Sequence, residues 1–306
     1  MLHRAKLNIA SALTYTFFCI EFTSLRMELS GKTYQQVKKQ AFDQALGEQY
    51  EAGELRAMWL SWLEYQTGAA IGQWARLQYE PFPNQYEAAL SQVVAALKAG
   101  KPLQYVLNEA IFLGRKFVLN ESVLIPRPET EELVMWMLDC LPNQQLRIID
   151  LGTGSGIIPI SLKLERPLWE LTEVDLSPAA LATAQANAEL HAASVDWVEG
   201  DMLGMDLPQW DVLVSNPPYI PLNEASTLAP HVLQFEPAMA LFSPTNDALL
   251  FYKSIADRAK QAAAGKMLFL ELNHEKALEI EGLFYGMKTE VRADLQGKAR
   301  MLKVVT

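Results

Sequence analysis

LRIIDLGTGSG, residues 146–156, joins a run of branched apolar residues directly to glycines at alternate positions. The run reads as a strand buried on both faces. Gly152, Gly154 and Gly156 would let the chain turn tightly and bring backbone close to a ligand before a helix begins. Their spacing is G-x-G-x-G with Ile157 next, so the G-x-G-x-x-G dinucleotide fingerprint is absent. A P-loop is excluded too, because no Gly-Lys-Ser/Thr ending follows. Further strand-like runs, WELTEVD, VDWVEG, WDVLVSN and KMLFLELN, alternate with helical stretches such as SPAALATAQANAELH. Alternation of this kind predicts a doubly wound, parallel α/β sheet.

Ligands bind such sheets at the carboxyl ends of the strands, so the strand ends carry the functional reading. The second strand ends in Asp175, a carboxylate where a ribose diol would lie. The third ends in Gly200, Asp201 and Met202, an acceptor and an apolar surface suited to an adenine edge and face. Asp201 reads equally well as a helix N-cap or turn residue. The fourth, VLVSNPPYI at residues 212–220, runs into Asn216, Pro217, Pro218 and Tyr219. Two prolines stop a strand, since each lacks an N–H and fixes φ. A carboxamide or exocyclic amino nitrogen is a poor nucleophile because its lone pair is delocalised. Two acceptors that take both of its hydrogens fix it and restore some of that density. The Asn216 side-chain carbonyl and the Pro217 backbone carbonyl can supply them, with Tyr219 packing over the flat target group.

The chain has 306 residues, 50% hydrophobic and 20% charged, enough for one large and one smaller domain. Its net charge of −10 argues against grip on nucleic acid through phosphate neutralisation. Cys19 and Cys140 form no CxxC, and His3, His191, His231 and His274 are scattered, so neither a disulfide framework nor a metal site is expected. Residues 27–100 show helical periodicity and predict a small bundle whose Trp59, Trp62 and Trp74 belong to its core. Residues 101–128 read as a β-hairpin linker, with alternating segments from 103 to 125, and 129–306 as the sheet domain. Residues 1–26 begin basic and continue moderately apolar, but Thr14, Tyr15 and Thr16 interrupt the run. They read as a dispensable extension, and a chain beginning at Met27 is expected to fold and act like the full one.

Taken together, D-L-G-x-G-x-G, the strand-end acid, the Gly-Asp and N-P-P-Y resemble the amino-directed methyltransferases that use S-adenosyl-L-methionine. Three further stretches, PLQYVLNEAIFLGRKFVLNESVLIPRPETE at 102–131, FEPAMALFSPTNDALLFYKSI at 235–255 and DLQGKAR at 294–300, narrow the match. They resemble the protein N5-glutamine methyltransferases that modify peptide chain release factors, the HemK or PrmC family. The resemblance implies a Rossmann-like class I methyltransferase sheet and, as partner, a class 1 release factor with a Gly-Gly-Gln loop. It implies a cytoplasmic monomer, without membrane or direct nucleic acid binding. Carried over by position, it puts the methionine and ribose of S-adenosyl-L-methionine at Gly152, Thr153, Gly154, Ser155, Gly156 and Asp175. Adenine falls near Asp201 and Met202, and the substrate amide at Asn216, Pro217, Pro218 and Tyr219, with Asn216 also beside the cofactor. Met202 stands where relatives often carry an aromatic, and Asn108 where they usually carry glycine. An N6-adenine methyltransferase, or a nucleotide-binding protein without catalysis, stays open at this point.

Overall fold

The computed structural model describes residues 29–306, so the expectation for residues 1–26 lies outside the described residues. The first part is helical: Tyr34–Val37, a π-turn Lys38–Asp43, Ala52–Thr67, Trp74–Leu77 and Glu87–Lys98. Trp59 and Trp62 are fully buried, and Trp74 meets Trp59 edge-on at 6.0 Å, as core residues do. Phe42, Leu90, Val93 and Val94 complete this apolar cluster.

The alternating reading is corrected between 103 and 107. Leu103–Leu107 is a helix, and Asn108 caps it in the left-handed conformation with φ 52°. Asn tolerates that region better than most residues with a side chain, which lets it stand in for glycine. The hairpin itself is shorter than expected, β1 Glu109–Phe112 paired with β2 Arg115–Val118.

The main sheet contains β3 Arg147–Leu151, β4 Glu170–Asp175, β5 Asp196–Glu199, β6 Val212–Ser215, β7 Met267–Glu271, β8 Lys288–Ala293 and β9 Ala299–Val305. Its order is β5-β4-β3-β6-β7-β9-β8. The five predicted strands are present and pair in parallel. The sheet is nevertheless mixed. β8 and β9 were not predicted, and β9 runs antiparallel to both neighbours. Strand order reverses at β3, whose two sides carry β4 and β6, and that is where an open sheet presents its binding crevice.

Alternate residues of the strands feed two apolar layers. Ile148, Val212, Val214 and Phe269 pack under the helices Pro128–Cys140 and Ile157–Glu165. Ile149, Leu151, Leu213, Leu268 and Leu302 pack under Leu250–Gln261 on the other face. Both faces are covered, which explains why the central strands read as unbroken hydrophobic runs.

One buried polar residue joins three parts of the chain. Asn187, on the helix Pro178–Leu190, accepts from Val118 N at 2.6 Å and donates to Val118 O at 3.0 Å and Ser155 O at 2.9 Å. It thereby fastens the hairpin and the glycine turn to one helix. Asn187→Ala strands three backbone groups, and is expected to lower unfolding stability by about 3 kcal/mol in urea denaturation.

Candidate active site

The glycine turn adopts φ values of 78°, 58° and 75° at Gly152, Gly154 and Gly156, a region side-chain-bearing residues avoid. At Gly156 there is a second requirement. A Cβ there would stand 3.0 Å from Ala184, Glu173 and Ile160 atoms, so only glycine permits the turn to seat against its helices. At Gly154 the space is open, and the backbone conformation alone demands glycine.

Asp175 holds this turn in place. Its Oδ2 accepts from Gly154 N and its Oδ1 from Ser177 N, both at 2.9 Å. Each oxygen keeps a further lone pair for a ligand hydroxyl. Burial raises its pKa, and the backbone N–H groups of Ser177 and Gly154 counter part of that shift.

Ser215 Oγ donates to Leu151 O at 2.7 Å, binding the end of β6 to the end of β3 just before both chains turn. Asn216 lies beyond it, half-buried, with Nδ2 3.3 Å from Thr130 Oγ1; Thr130 Oγ1 in turn donates to Glu271 Oε2 at 2.7 Å. Arg127 Nη2 reaches both carboxylate oxygens of buried Glu236 at 2.7 Å, so the segment before the Pro128 helix clasps the segment after β6.

Between the glycine turn and the β6 tip opens a cavity of about 700 Å³, within the range of small-molecule and cofactor sites. Of the residues predicted from sequence, Gly152 to Ser155, Asp175, Asp201, Met202, Asn216 and Pro218 reach its wall. The other three are not among the residues that line it. Gly156 and Pro217 are buried, and the Tyr219 ring packs against the apolar core below the tip. In this structure the half-buried Tyr219 ring touches that core and does not line the cavity. Asp201 is an exposed turn residue whose Oδ1 accepts from Leu203 N at 2.8 Å, the alternative its sequence left open.

Several acids escaped the sequence reading. Asp150 and Glu173 sit opposite one another on β3 and β4, both buried. Burial pushes Asp150 up to about 7 and Glu173 up to about 9, and for Glu173 the nearby Asp150 adds to the effect. The Thr153 hydroxyl tempers the Asp150 shift without reaching hydrogen-bond geometry. Asp150 and Thr153 thus leave buried polar atoms without partners beneath the turn, a setting suited to a polar, positively charged ligand end. Thr130 and Glu271, behind Asn216, were missed as well. Among the described residues no helix is long and apolar enough to cross a membrane.

Residues 133–238 match the family described as "Methyltransferase small domain". Over 230 residues the chain is 40% identical to the release factor glutamine methyltransferase of Flavobacterium psychrophilum, covering 72% of this chain and 79% of that one. It is 36% identical over 236 residues to the protein of the same description from Lactococcus lactis, covering 76% and 87%. A third such relative, from Bacillus subtilis, is 34% identical over 253 residues, covering 78% and 88%.

The buried acids make stability depend on pH in a defined direction. A carboxyl whose pKa rises from 4.5 to about 9 on folding stabilises fully below 4.5, and that contribution is lost as pH rises through about 9. Glu173→Gln removes the titration. Thermal unfolding across pH 5 to 9, a window taken from that shift, is expected to show the variant gaining on the wild type at every step upward.

Proposed function

The chain belongs to the release factor glutamine methyltransferases, and from that premise we propose that it transfers a methyl group from S-adenosyl-L-methionine to the side-chain nitrogen of the glutamine in the Gly-Gly-Gln loop of a class 1 release factor. The observation that carries this reading is a side-chain acceptor, Asn216, at the wall of the same cavity that receives the glycine turn. The turn presents bare backbone, Asp175 retains lone pairs for ribose hydroxyls, and buried Met202 offers a polarizable apolar face for adenine. The unpartnered oxygens of Asp150 and Thr153 suit the charged amino-acid end. When bound, S-adenosyl-L-methionine supplies a methyl group on a sulfonium sulfur, and the nitrogen that accepts it sheds its surplus proton to water.

The protein's part is chiefly positioning. Asn216 Oδ1 and the Pro217 carbonyl would each accept one hydrogen of the glutamine amide, so its nitrogen would be held in place with its lone pair free to meet the methyl group. Pro217 and Pro218 stiffen the backbone that carries those acceptors, and Tyr219 packs on the core beside them. Asp201 has one oxygen free of Leu203, available to the adenine edge. The arrangement requires a target bearing two N–H hydrogens, which glutamine has and glutamate lacks. An exposed chain of net charge −10 suits a protein partner better than a nucleic acid.

Labelled S-adenosyl-L-methionine offered with either a release factor or DNA tests the reading. Label is expected in the release factor, and none in DNA or in a Gly-Gly-Glu version of the factor. Asn216→Ala is expected to lower turnover by roughly a hundredfold with the fold intact, the scale of one polar group removed from a transition state. Asn216→Asp, still an acceptor, is expected to keep partial activity. Full activity of Asn216→Ala, or methylation of the Glu control, would remove the proposed role of the β6 tip.

A further inference from the structure

A carboxamide has two ends of nearly equal shape, and only one of them accepts. If Asn216 presented its NH2 to the glutamine amide, two donors would face each other and the nitrogen would be repelled. Something must therefore fix the carboxamide's orientation, and the residues behind it do so through a proton count. Thr130, the third residue of the Pro128 helix, and Glu271, the last residue of β7, are both buried and come from opposite ends of the sheet domain. The Thr130 hydroxyl has a single hydrogen. Given to Glu271 Oε2 at 2.7 Å, it leaves only lone pairs toward Asn216, 3.3 Å away, so Nδ2 turns to Thr130 and Oδ1 faces the cavity.

We propose that Thr130 and Glu271 are positioning residues that hold Asn216 with its oxygen toward the substrate nitrogen, and that a proton on Glu271 reverses the chain and turns that acceptor into a donor. The proposal rests on the reading of Asn216 as the acceptor for the glutamine amide. A protonated Glu271 would donate to Thr130 Oγ1; the freed Thr130 hydrogen would then seek Asn216 Oδ1, and the amide would flip its NH2 to the cavity. No covalent bond changes, and one proton enters from solvent.

The surroundings place this switch within reach of ordinary pH. Glu129 from the Pro128 helix, Arg127 just before it, Arg300 from β9, Tyr219 from the β6 tip and Tyr252 from the Leu250 helix all face Glu271. Tyr252 Oη donates to the Glu271 backbone oxygen at 2.9 Å and leaves the carboxyl untouched. Burial raises the carboxyl to about 7; the Thr130 hydrogen bond opposes the rise, Glu129 adds to it, and the two arginines oppose it. The ionised form is the productive one, so acceptor orientation is present above about 7 and lost as pH falls below it.

The test uses the full chain and four variants. In the wild type, kcat on a release factor is expected to fall as pH drops through about 7 while cofactor affinity holds. Thr130→Val is expected to lower kcat by about tenfold, the scale of one lost hydrogen bond, with KM little changed and the acidic fall gone. Thr130→Ser restores both. Glu271→Gln, whose amide can donate to Thr130 as the protonated acid would, is expected to be slow at every pH. A readout independent of activity is the Asn216 side-chain amide signal in ¹⁵N NMR, identified by its loss in Asn216→Asp. It is expected to move with the Glu271 titration in the wild type and to stand still in Thr130→Val. Wild-type kcat in Thr130→Val, or an Asn216 signal that ignores pH, overturns the relay. A wild type that leaves the release factor unmethylated instead refutes the proposed function, and the amide signal still decides the relay.

Discussion

The parallel pairing of β3 with β6 is the constraint on which the site depends. Leu151 and Ser215 are partners in that register, and Ser215 Oγ bonds Leu151 O at 2.7 Å. One residue further on, each strand gives way to a turn that no regular structure would choose, glycines on one side and prolines on the other. A one-residue slip would carry every side chain of β6 to the opposite face and take Asn216 away from the glycine turn. Both strands are buried on both faces, so the apolar layers hold the register with the full weight of the core.

Around that pair, burial sorts the acids by role. Glu173 and Asp150 lie deep and are pushed toward neutrality, while Asp175, nearer the cavity, gains backbone N–H bonds that favour its charge. Glu271 occupies a middle position on the other side of the cavity. Its carboxyl is buried, but it has a hydroxyl partner to receive, and the orientation of the β6 tip follows from whether it is ionised.

The parts of this arrangement differ in how far sequence discloses them. Central strands announce themselves by unbroken runs such as RIIDL and VLVS, and the special turns by glycine and proline, which have few other reasons to stand there. β8 was illegible because KTEVRA is almost wholly exposed, so no apolar pattern marks it. LQYVL carries β-type residues, yet its packing against the helical core makes it a helix, an instance of tertiary contact overriding propensity. Asp150, Glu173 and Glu271 are ordinary carboxylates in a sequence, and their burial appears only when distant segments meet. Thr130 and Glu271 are separated by 141 positions, and a hydrogen bond between them has no local signature.

The central claim is that the β6 tip grips an amide through an oriented oxygen. A crystal structure with S-adenosyl-L-homocysteine and a Gly-Gly-Gln peptide measures this directly. The account predicts the glutamine nitrogen about 2.7–3.2 Å from Asn216 Oδ1, with Asn216 Nδ2 still turned to Thr130. A glutamine amide bound away from Asn216, or one that meets the Asn216 NH2 group in place of its oxygen, would contradict it.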